Sequence, residues 1–116
     1  MPGVLLPAWE HYLDHTTHWH YMKLLGKKLL SNFKDRHADA RSDLDSWEAE
    51  VEEAQWDTPH DLKARYPKAS LLKKQQVVFN ICRNDYRLLV VIGYKSKSVL
   101  VKKIGTHKEY DKWDLS

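Results

Sequence analysis

Arg87 is the first of two side chains in this sequence whose chemistry suits a phosphate ester. It lies in the apolar run Tyr86–Ile92, which has the length and composition of a β-strand. Side chains alternate along a strand, so Arg87 shares a face with Leu89 and Val91 and points away from Tyr86 and Leu88. A guanidinium in such a strand needs an anion, and phosphate matches its paired donors. An internal carboxylate is the structural alternative.

His107 is the second, and it follows the strand-like run Val99–Ile104 and Gly105. The glycine allows a sharp turn that would place the imidazole on a rim, where a histidine can give or take a proton near neutral pH. One helical turn would bring the hydroxyl of Tyr110 to the same side, and Glu109 or Asp111 could orient the imidazole. An ordinary solvated tail is the alternative for this stretch.

Three lysines are candidates to contact a polyanion around Arg87. Lys73 and Lys74 precede the first strand of a hairpin, and Lys102 lies on the last strand. These lysines could form a basic rim around Arg87 that contacts RNA. Alternatively, they could form a charged sheet edge that resists unwanted strand pairing.

Charge is distributed unevenly along the chain, whose formal net charge is +3. Residues 39–57 contain eight acids and one base, a net charge of −7, whereas residues 61–103 contain eleven bases and two acids, a net charge of +9. A basic half of this kind attracts polyanions, so nucleic acid is the leading class of partner. Surface lysines that only keep a small domain in solution are the alternative.

Metal and thiol chemistry are not favoured by the remaining candidates. His11, His15, His18 and His20 lie in a terminal extension, where histidines are more often unconstrained surface residues than ligands, so no metal site is predicted. The single cysteine, Cys82, excludes an internal disulfide and has no adjacent general base that would make it a nucleophile.

The first half of the chain predicts helices. Leu29, Leu30 and Phe33 recur at helical spacing within 27–37, and a second amphipathic run covers 39–54 with its acids on one side. Together they predict a helical hairpin whose apolar faces need a sheet as cover. The sequence from Thr58 to Asp61 has the features of a helix start, and Pro67 ends that short helix near Tyr66.

The second half predicts strands, over Val77–Ile81, Tyr86–Ile92 and Val99–Ile104, with hairpin turns between them. Residues 21–25 could add an edge strand, and Asn84 is the turn residue best suited to positive φ. The expected fold class is α+β, a helical hairpin on a mostly antiparallel sheet of three to four strands. Residues 1–21 are interpreted as an N-terminal extension and residues 22–116 as one domain.

The sequence contains no apolar run of the length that a bilayer-spanning helix requires, about 20 residues, and no N-terminal pattern of a signal peptide. We therefore expect a cytoplasmic protein without a membrane partner.

Four stretches of the sequence resemble the HigB family of bacterial type II toxin-antitoxin systems. They are Trp56–Lys63, Val77–Ile81, Asn84–Leu88 and Ile104–Asp111, within a resemblance that runs from Met22 to Asp114. The chain departs from the family in the first hairpin turn, where relatives have glycines and a lysine and this chain has Cys82, Arg83 and Asp85.

The resemblance implies a RelE-like fold and a toxin that cleaves messenger RNA on the ribosome, with no cofactor and no metal. A HigA-like antitoxin with a helix-turn-helix domain would hold it inactive in a hetero-oligomer. By the same resemblance, Arg87 would hold the scissile phosphate, His107 and Tyr110 would serve proton transfer or stacking, and Lys102 would be the basic residue of the last strand.

Two other function classes stay open at this point. A non-catalytic domain that binds RNA or the ribosome would need the same basic sheet, and a structural partner protein would use the charge polarity for association alone. Loss of cleavage in Arg87 or His107 variants that still bind ribosomes would separate recognition from chemistry.

Overall fold

The computed structural model of the protein describes residues 21–116, so the predicted N-terminal extension, apart from Tyr21, lies outside the described residues together with its four histidines. In chain order the helices are α1 (Lys27–Arg36), α2 (Arg41–Glu53), α3 (Pro59–Arg65) and α4 (His107–Tyr110), with 3-10 helices at Ala38–Ala40 and Lys73–Gln75. The strands are β1 (Lys23–Leu25), β2 (Ser70–Leu71), β3 (Gln76–Ile81), β4 (Tyr86–Gly93) and β5 (Ser98–Thr106).

The strands form one mixed sheet in the order β1-β5-β4-β3-β2. β1 runs parallel to β5, and the other neighbours are antiparallel. The α+β class is confirmed, and the three long strands and the edge strand near residue 23 lie where the sequence predicted them. The expected number of three to four strands is wrong, because β2 has only two residues and gives no alternating pattern to detect.

A single apolar core lies between one face of the sheet and the helices. The largest fully buried side chains include Leu30 and Phe33 of α1, Leu44 of α2, and Phe79 and Leu88 of the sheet. Helix α1 contacts β5, and α2 contacts β1. The apolar faces of both helices are therefore packed against the sheet, as their sequence patterns predicted. The hairpin geometry between the two helices stays a prediction.

The acids of α2 are mostly paired with bases on neighbouring elements. Lys34 of α1 binds both Asp45 and Glu48 with nitrogen–oxygen distances of 2.5 Å, and Lys27 binds Glu52 at 2.9 Å. Glu50 binds Arg65 of α3 and accepts a hydrogen bond from the Tyr66 hydroxyl. Most acids of α2 therefore offset cations of the neighbouring helices.

The turn between β3 and β4 departs from the expectation for Asn84. Cys82 (φ 52°) and Arg83 (φ 63°) adopt the left-handed conformation instead, and Asn84 does not. The Cys82 N–H donates to the Asp43 carboxylate at 3.0 Å, and Asp85 N–H donates to the Cys82 carbonyl at 3.1 Å. These long-range and local hydrogen bonds hold two residues in a conformation that their own preferences disfavour.

Gly26 places α1 against β5, and its replacement by alanine should destabilise the protein. Its φ is +85°, and an added Cβ would lie 2.9 Å from the carbonyl oxygen of Val101. Because an L-residue in this conformation costs roughly 1–2 kcal/mol and the contact adds to it, we expect Gly26→Ala to lower the unfolding free energy by about 2 kcal/mol. Urea denaturation measures the change, and an unaltered midpoint would contradict it.

Candidate active site

Arg87 lies in a row of residues that crosses the sheet on the face opposite the helices. It pairs directly with Asn80 of β3 and with Gly105 of β5. Opposed residues of antiparallel strands point to the same face, and the neighbours Tyr86 and Leu88 belong to the core on the other face. The strand alternation predicted from the sequence therefore holds, and the guanidinium is kept out of the core.

The guanidinium of Arg87 has backbone partners but no carboxylate partner among residues 21–116. Its Nη1 donates to the carbonyl of Asn84 at 2.7 Å and to that of Tyr86 at 3.3 Å. Within the same residues, no hydrogen bond is made by its Nε or Nη2. The side chain is thus oriented by backbone carbonyls while its charge stays available for an anion. No carboxylate of residues 21–116 therefore takes the place of the internal partner that was the alternative.

His107 and Tyr110 form the two ends of α4, which follows β5 directly. The Thr106 hydroxyl accepts from Glu109 N–H at 3.1 Å, and the Glu109 carboxylate accepts from Thr106 N–H at 2.8 Å. This capping box stabilises so short a helix, and His107 N–H also donates to the Asp85 carbonyl at 3.1 Å. The predicted short helix is confirmed.

Gly105 is needed for packing rather than for a sharp turn. It is a residue of β5, and an added Cβ would lie 2.7 Å from a carboxylate oxygen of Glu109 and 3.2 Å from Cζ2 of Trp113. The missing side chain therefore lets α4 and the segment after it approach the row that contains Arg87.

Arg87, His107, Tyr110 and Trp113 form one continuous cluster, named here the Arg87 cluster. The Arg87 Cζ lies 5.5 Å from the centroid of the Tyr110 ring, a cation–π arrangement. The centroid of the same ring is 6.4 Å from that of the His107 ring and 5.5 Å from that of the Trp113 ring. The structure thus brings together the three residues predicted as catalytic.

Trp113 was not among the site residues predicted from the sequence. It lies three residues after Tyr110, a spacing that does not by itself indicate a site residue. The segment after α4 turns back over the sheet, where the Gln76 side-chain amide donates to the Leu115 carbonyl at 3.0 Å. No local pattern reveals such a path.

The imidazole of His107 is about half exposed, with 53% of its side-chain surface accessible, and it has one acidic neighbour. Its Nδ1 lies 3.5 Å from an Asp111 carboxylate oxygen. Of the two acids that the sequence offered to orient it, Asp111 is the one in place, because Glu109 is engaged in the cap. The Nε2 atom makes no hydrogen bond within residues 21–116, so it is free to face a substrate.

The three predicted RNA-binding lysines lie in two different places. Lys102 is the extra residue of a β-bulge in β5, between Val101, which pairs with Val90, and Lys103, which pairs with Leu89. Lys73 and Lys74 precede Gln76, which pairs with Val91. Since Val91 and Arg87 are four strand residues apart, or roughly 13 Å, the structure places these two lysines at the other end of the sheet.

Two reactive groups near the β3–β4 turn have structural partners. Burial and the Asp43 carboxylate raise the pKa of the Cys82 thiol to about 11, which disfavours the nucleophilic thiolate. The Tyr86 hydroxyl donates to the Asp39 carboxylate at 2.8 Å, and this bond, together with burial, raises the pKa of Tyr86 to about 12. Both groups contribute to the fold on the helical side of the sheet.

The raised pKa of Tyr86 predicts a stability difference that depends on alkaline pH. The ordinary pKa of a tyrosine is near 10. Because the pKa of Tyr86 in the folded protein is higher than this, the folded state favours the neutral hydroxyl. The neutral Tyr86 hydroxyl therefore stabilises the folded state fully below pH 10, and this contribution to the free energy of unfolding is lost as the pH rises from about 10 to about 12. We expect the stability gap between wild type and Tyr86→Phe to narrow over that range in urea titrations; a gap that is constant from pH 8 to 11.5 would contradict this.

Among the described residues, no group of three or more histidine, cysteine, aspartate or glutamate side chains is arranged to hold a metal ion. No helix in this part of the chain is long and apolar enough to cross a membrane.

Comparison with protein families decides the assignment. Residues 40–113 match the family described as HigB_toxin, the RelE-like toxic component of a toxin-antitoxin system. The chain belongs to the HigB toxin family. The match includes Arg87, His107, Tyr110 and Trp113, so the whole Arg87 cluster falls inside the HigB domain.

Curated relatives carry the same family name. The chain is 25% identical over 92 residues to the mRNA interferase toxin HigB of Escherichia coli K12, an alignment that covers 78% of this chain and 88% of the relative. The mRNA interferase HigB proteins of Escherichia coli O157:H7 and Shigella flexneri match with the same identity and coverage. Membership of a toxin-antitoxin family gives this protein an antitoxin as its expected partner.

Proposed function

We propose that this HigB-family protein is an mRNA endonuclease that acts without a metal ion, and that the Arg87 cluster is its active site. The observation that carries the proposal is a half-buried arginine whose charge is not paired with a carboxylate of residues 21–116, held against Tyr110 near the half-exposed His107. Relatives named mRNA interferases support RNA as the substrate.

The chemistry needs three tasks that these side chains can divide. The ribose 2′-oxygen loses its proton and bonds to phosphorus, while the bond from phosphorus to the 5′-oxygen breaks and that oxygen gains a proton. Arg87 would stabilise the negative charge that develops on the phosphoryl oxygens. His107 would accept the 2′-hydroxyl proton at Nε2 and return it to the departing 5′-oxygen, while Tyr110 would stack on a base or hold the nucleotide.

The arrangement of the cluster supports this division of tasks. The Tyr110 ring contacts the guanidinium and lies near the imidazole, so a nucleotide held at this ring would have both Arg87 and His107 as neighbours. Asp111 next to Nδ1 would keep Nε2 directed outward. The products would carry a 2′,3′-cyclic phosphate and a 5′-hydroxyl.

The wider context of the proposal follows the family resemblance. Residues 22–116 would form the RelE-like toxin domain, with α1 and α2 as its helical hairpin, and the toxin would act on messenger RNA bound to ribosomes in the cytoplasm. The ribosome would position the substrate, which an open site on a small domain cannot do alone. A HigA-like helix-turn-helix antitoxin would neutralise the toxin in a hetero-oligomer.

Induced expression in bacteria tests the proposal. Wild type should arrest growth and produce discrete transcript ends, and the double variant Arg87→Ala/His107→Ala, expressed to the same level, should do neither. If the double variant is as toxic and cuts as well as wild type, the active site is wrong. If wild type binds ribosomes and leaves transcripts intact, the non-catalytic alternative replaces the enzyme.

A further inference from the structure

A groove of about 550 Å³ lies beside the Arg87 cluster, between α1 and the second half of β5. β1 pairs with residues 98–100 of β5, and beyond this point no strand of residues 21–116 covers the outer edge of β5. Helix α1 forms the opposite wall of the groove. The C-terminal segment closes one end with Glu109, Lys112 and Trp113. We name this cleft the basic groove.

The basic groove has more cations than anions along its walls. Arg36 of α1, Lys102 and Lys103 of β5, and Lys112 line it together with His37. Its one carboxylate, Glu109, already accepts a hydrogen bond from Thr106 N–H in the cap of α4. The groove therefore has a positive potential that attracts an anionic chain.

The four cations of the groove make no ion pair within residues 21–116, unlike the lysines on the helical side. There, Lys27 and Lys34 bind acids of α2, as described above. In the groove, Arg36 lies 5.8 Å from the Phe33 ring centroid and Lys103 lies 5.6 Å from that of Trp113. Arg36 and Lys103 thus have aromatic neighbours, and Lys103 also interacts electrostatically with Asp114 without forming an ion pair.

The groove and the Arg87 cluster are continuous through Trp113. The Trp113 ring lines the groove and also packs edge-on against Tyr110 of the cluster. A polyanion whose phosphate is held by Arg87 can therefore pass over Trp113 and enter the groove without a gap.

We propose that the basic groove holds the RNA strand on one side of the cut, with Arg36, Lys102 and Lys112 contacting successive phosphates and Trp113 stacking on a base. This inference rests on the proposed nuclease function. Single-stranded RNA is favoured over an acidic protein segment because several cations beside a half-buried tryptophan ring suit a sugar-phosphate backbone with flat bases. The groove also leads to the residue proposed to hold phosphate.

The test compares two double charge reversals of equal net charge. Lys102→Glu/Lys112→Glu alters the groove, and Lys28→Glu/Lys95→Glu is the matched control at exposed positions outside it. The probe is a fluorescent 12-nucleotide RNA with 2′-O-methyl ribose throughout, so that no 2′-hydroxyl can attack, and anisotropy gives its affinity across a salt series. Thermal melts monitored by circular dichroism show that both variants are folded.

We expect the groove variant to bind the RNA at least tenfold more weakly at low salt, while the control changes less than threefold. Each phosphate contact contributes about 0.7 to the slope of log affinity against log salt for single strands, so two lost contacts should reduce the slope by about 1.4. The milder pair Lys102→Gln/Lys112→Gln should show the same reduction in slope with a smaller loss of affinity.

Failure of this inference is distinct from failure of the proposed function. If wild type cuts transcripts and the groove variant binds and cuts as the control does, the groove is not the RNA path. If the groove variant keeps its RNA affinity but loses the antitoxin, the groove binds protein, and the inference is overturned. If wild type cuts no RNA at all, the nuclease proposal fails first.

Discussion

Arg87→Ala should reduce the rate of RNA cleavage by roughly 100- to 1,000-fold, the loss seen when a preorganised donor to a developing negative charge is removed. The guanidinium is the one cation of the Arg87 cluster, and backbone carbonyls of Asn84 and Tyr86 already orient it. Single-turnover rates on a defined transcript, with ribosomes supplied, measure the effect.

Two further variants separate the role of Arg87 from a general loss of charge. Arg87→Lys keeps the charge but not the planar pair of donors, so it should recover only part of the rate. Arg41→Ala removes a cation on the helical side, where Arg41 donates to the Lys34 carbonyl, and should leave the rate within about twofold of wild type. Cleavage by Arg87→Ala within tenfold of wild type would contradict the role given to this residue.

His107→Asn should slow the chemical step by roughly 100- to 10,000-fold, the usual contribution of a positioned proton donor or acceptor. RNA affinity should change less than threefold, because Arg87 and the basic groove are intact. Single-turnover rates measure the chemical step, and RNA anisotropy measures the affinity.

The melting temperature and RNA affinity of His107→Asn distinguish a role in the reaction from a role in the fold. The imidazole is half exposed, so its replacement should leave the melting temperature nearly unchanged. A rate loss that follows a loss of stability, or a loss of RNA affinity as large as the loss in rate, would mean that His107 supports the fold or the complex instead of the reaction.

Local patterns were sufficient to predict the parts of the site that depend on nearest neighbours. Alternation along β4 predicted that Arg87 points away from the core, because a strand repeats every two residues. The short helix from His107 depends on a cap formed within four residues, and Thr58 with Asp61 likewise begins α3 through a capping box. Such features need no knowledge of the rest of the fold.

Long-range contacts determined what the sequence could not show. The pairing of Lys34 with Glu48 joins two elements, and nothing local indicates that the acids of α2 offset bases elsewhere. The bonds of Cys82 to Asp43 and Asp39 explain why the turn takes positive φ there and not at Asn84. The same applies to Lys73 and Lys74, which are basic in sequence but lie far from Arg87 once the strands are in register.

The chemical nature of the RNA ends left by the purified wild-type protein tests the account most directly. Attack by the 2′-oxygen predicts a 5′-hydroxyl on one product and a 2′,3′-cyclic phosphate or its opened 3′-phosphate on the other, and a single 2′-deoxy substitution at the cut nucleotide should abolish cleavage. Products with 5′-phosphate ends, or efficient cutting of the 2′-deoxy substrate, would show that water attacks the phosphate and would contradict the mechanism assigned to Arg87 and His107.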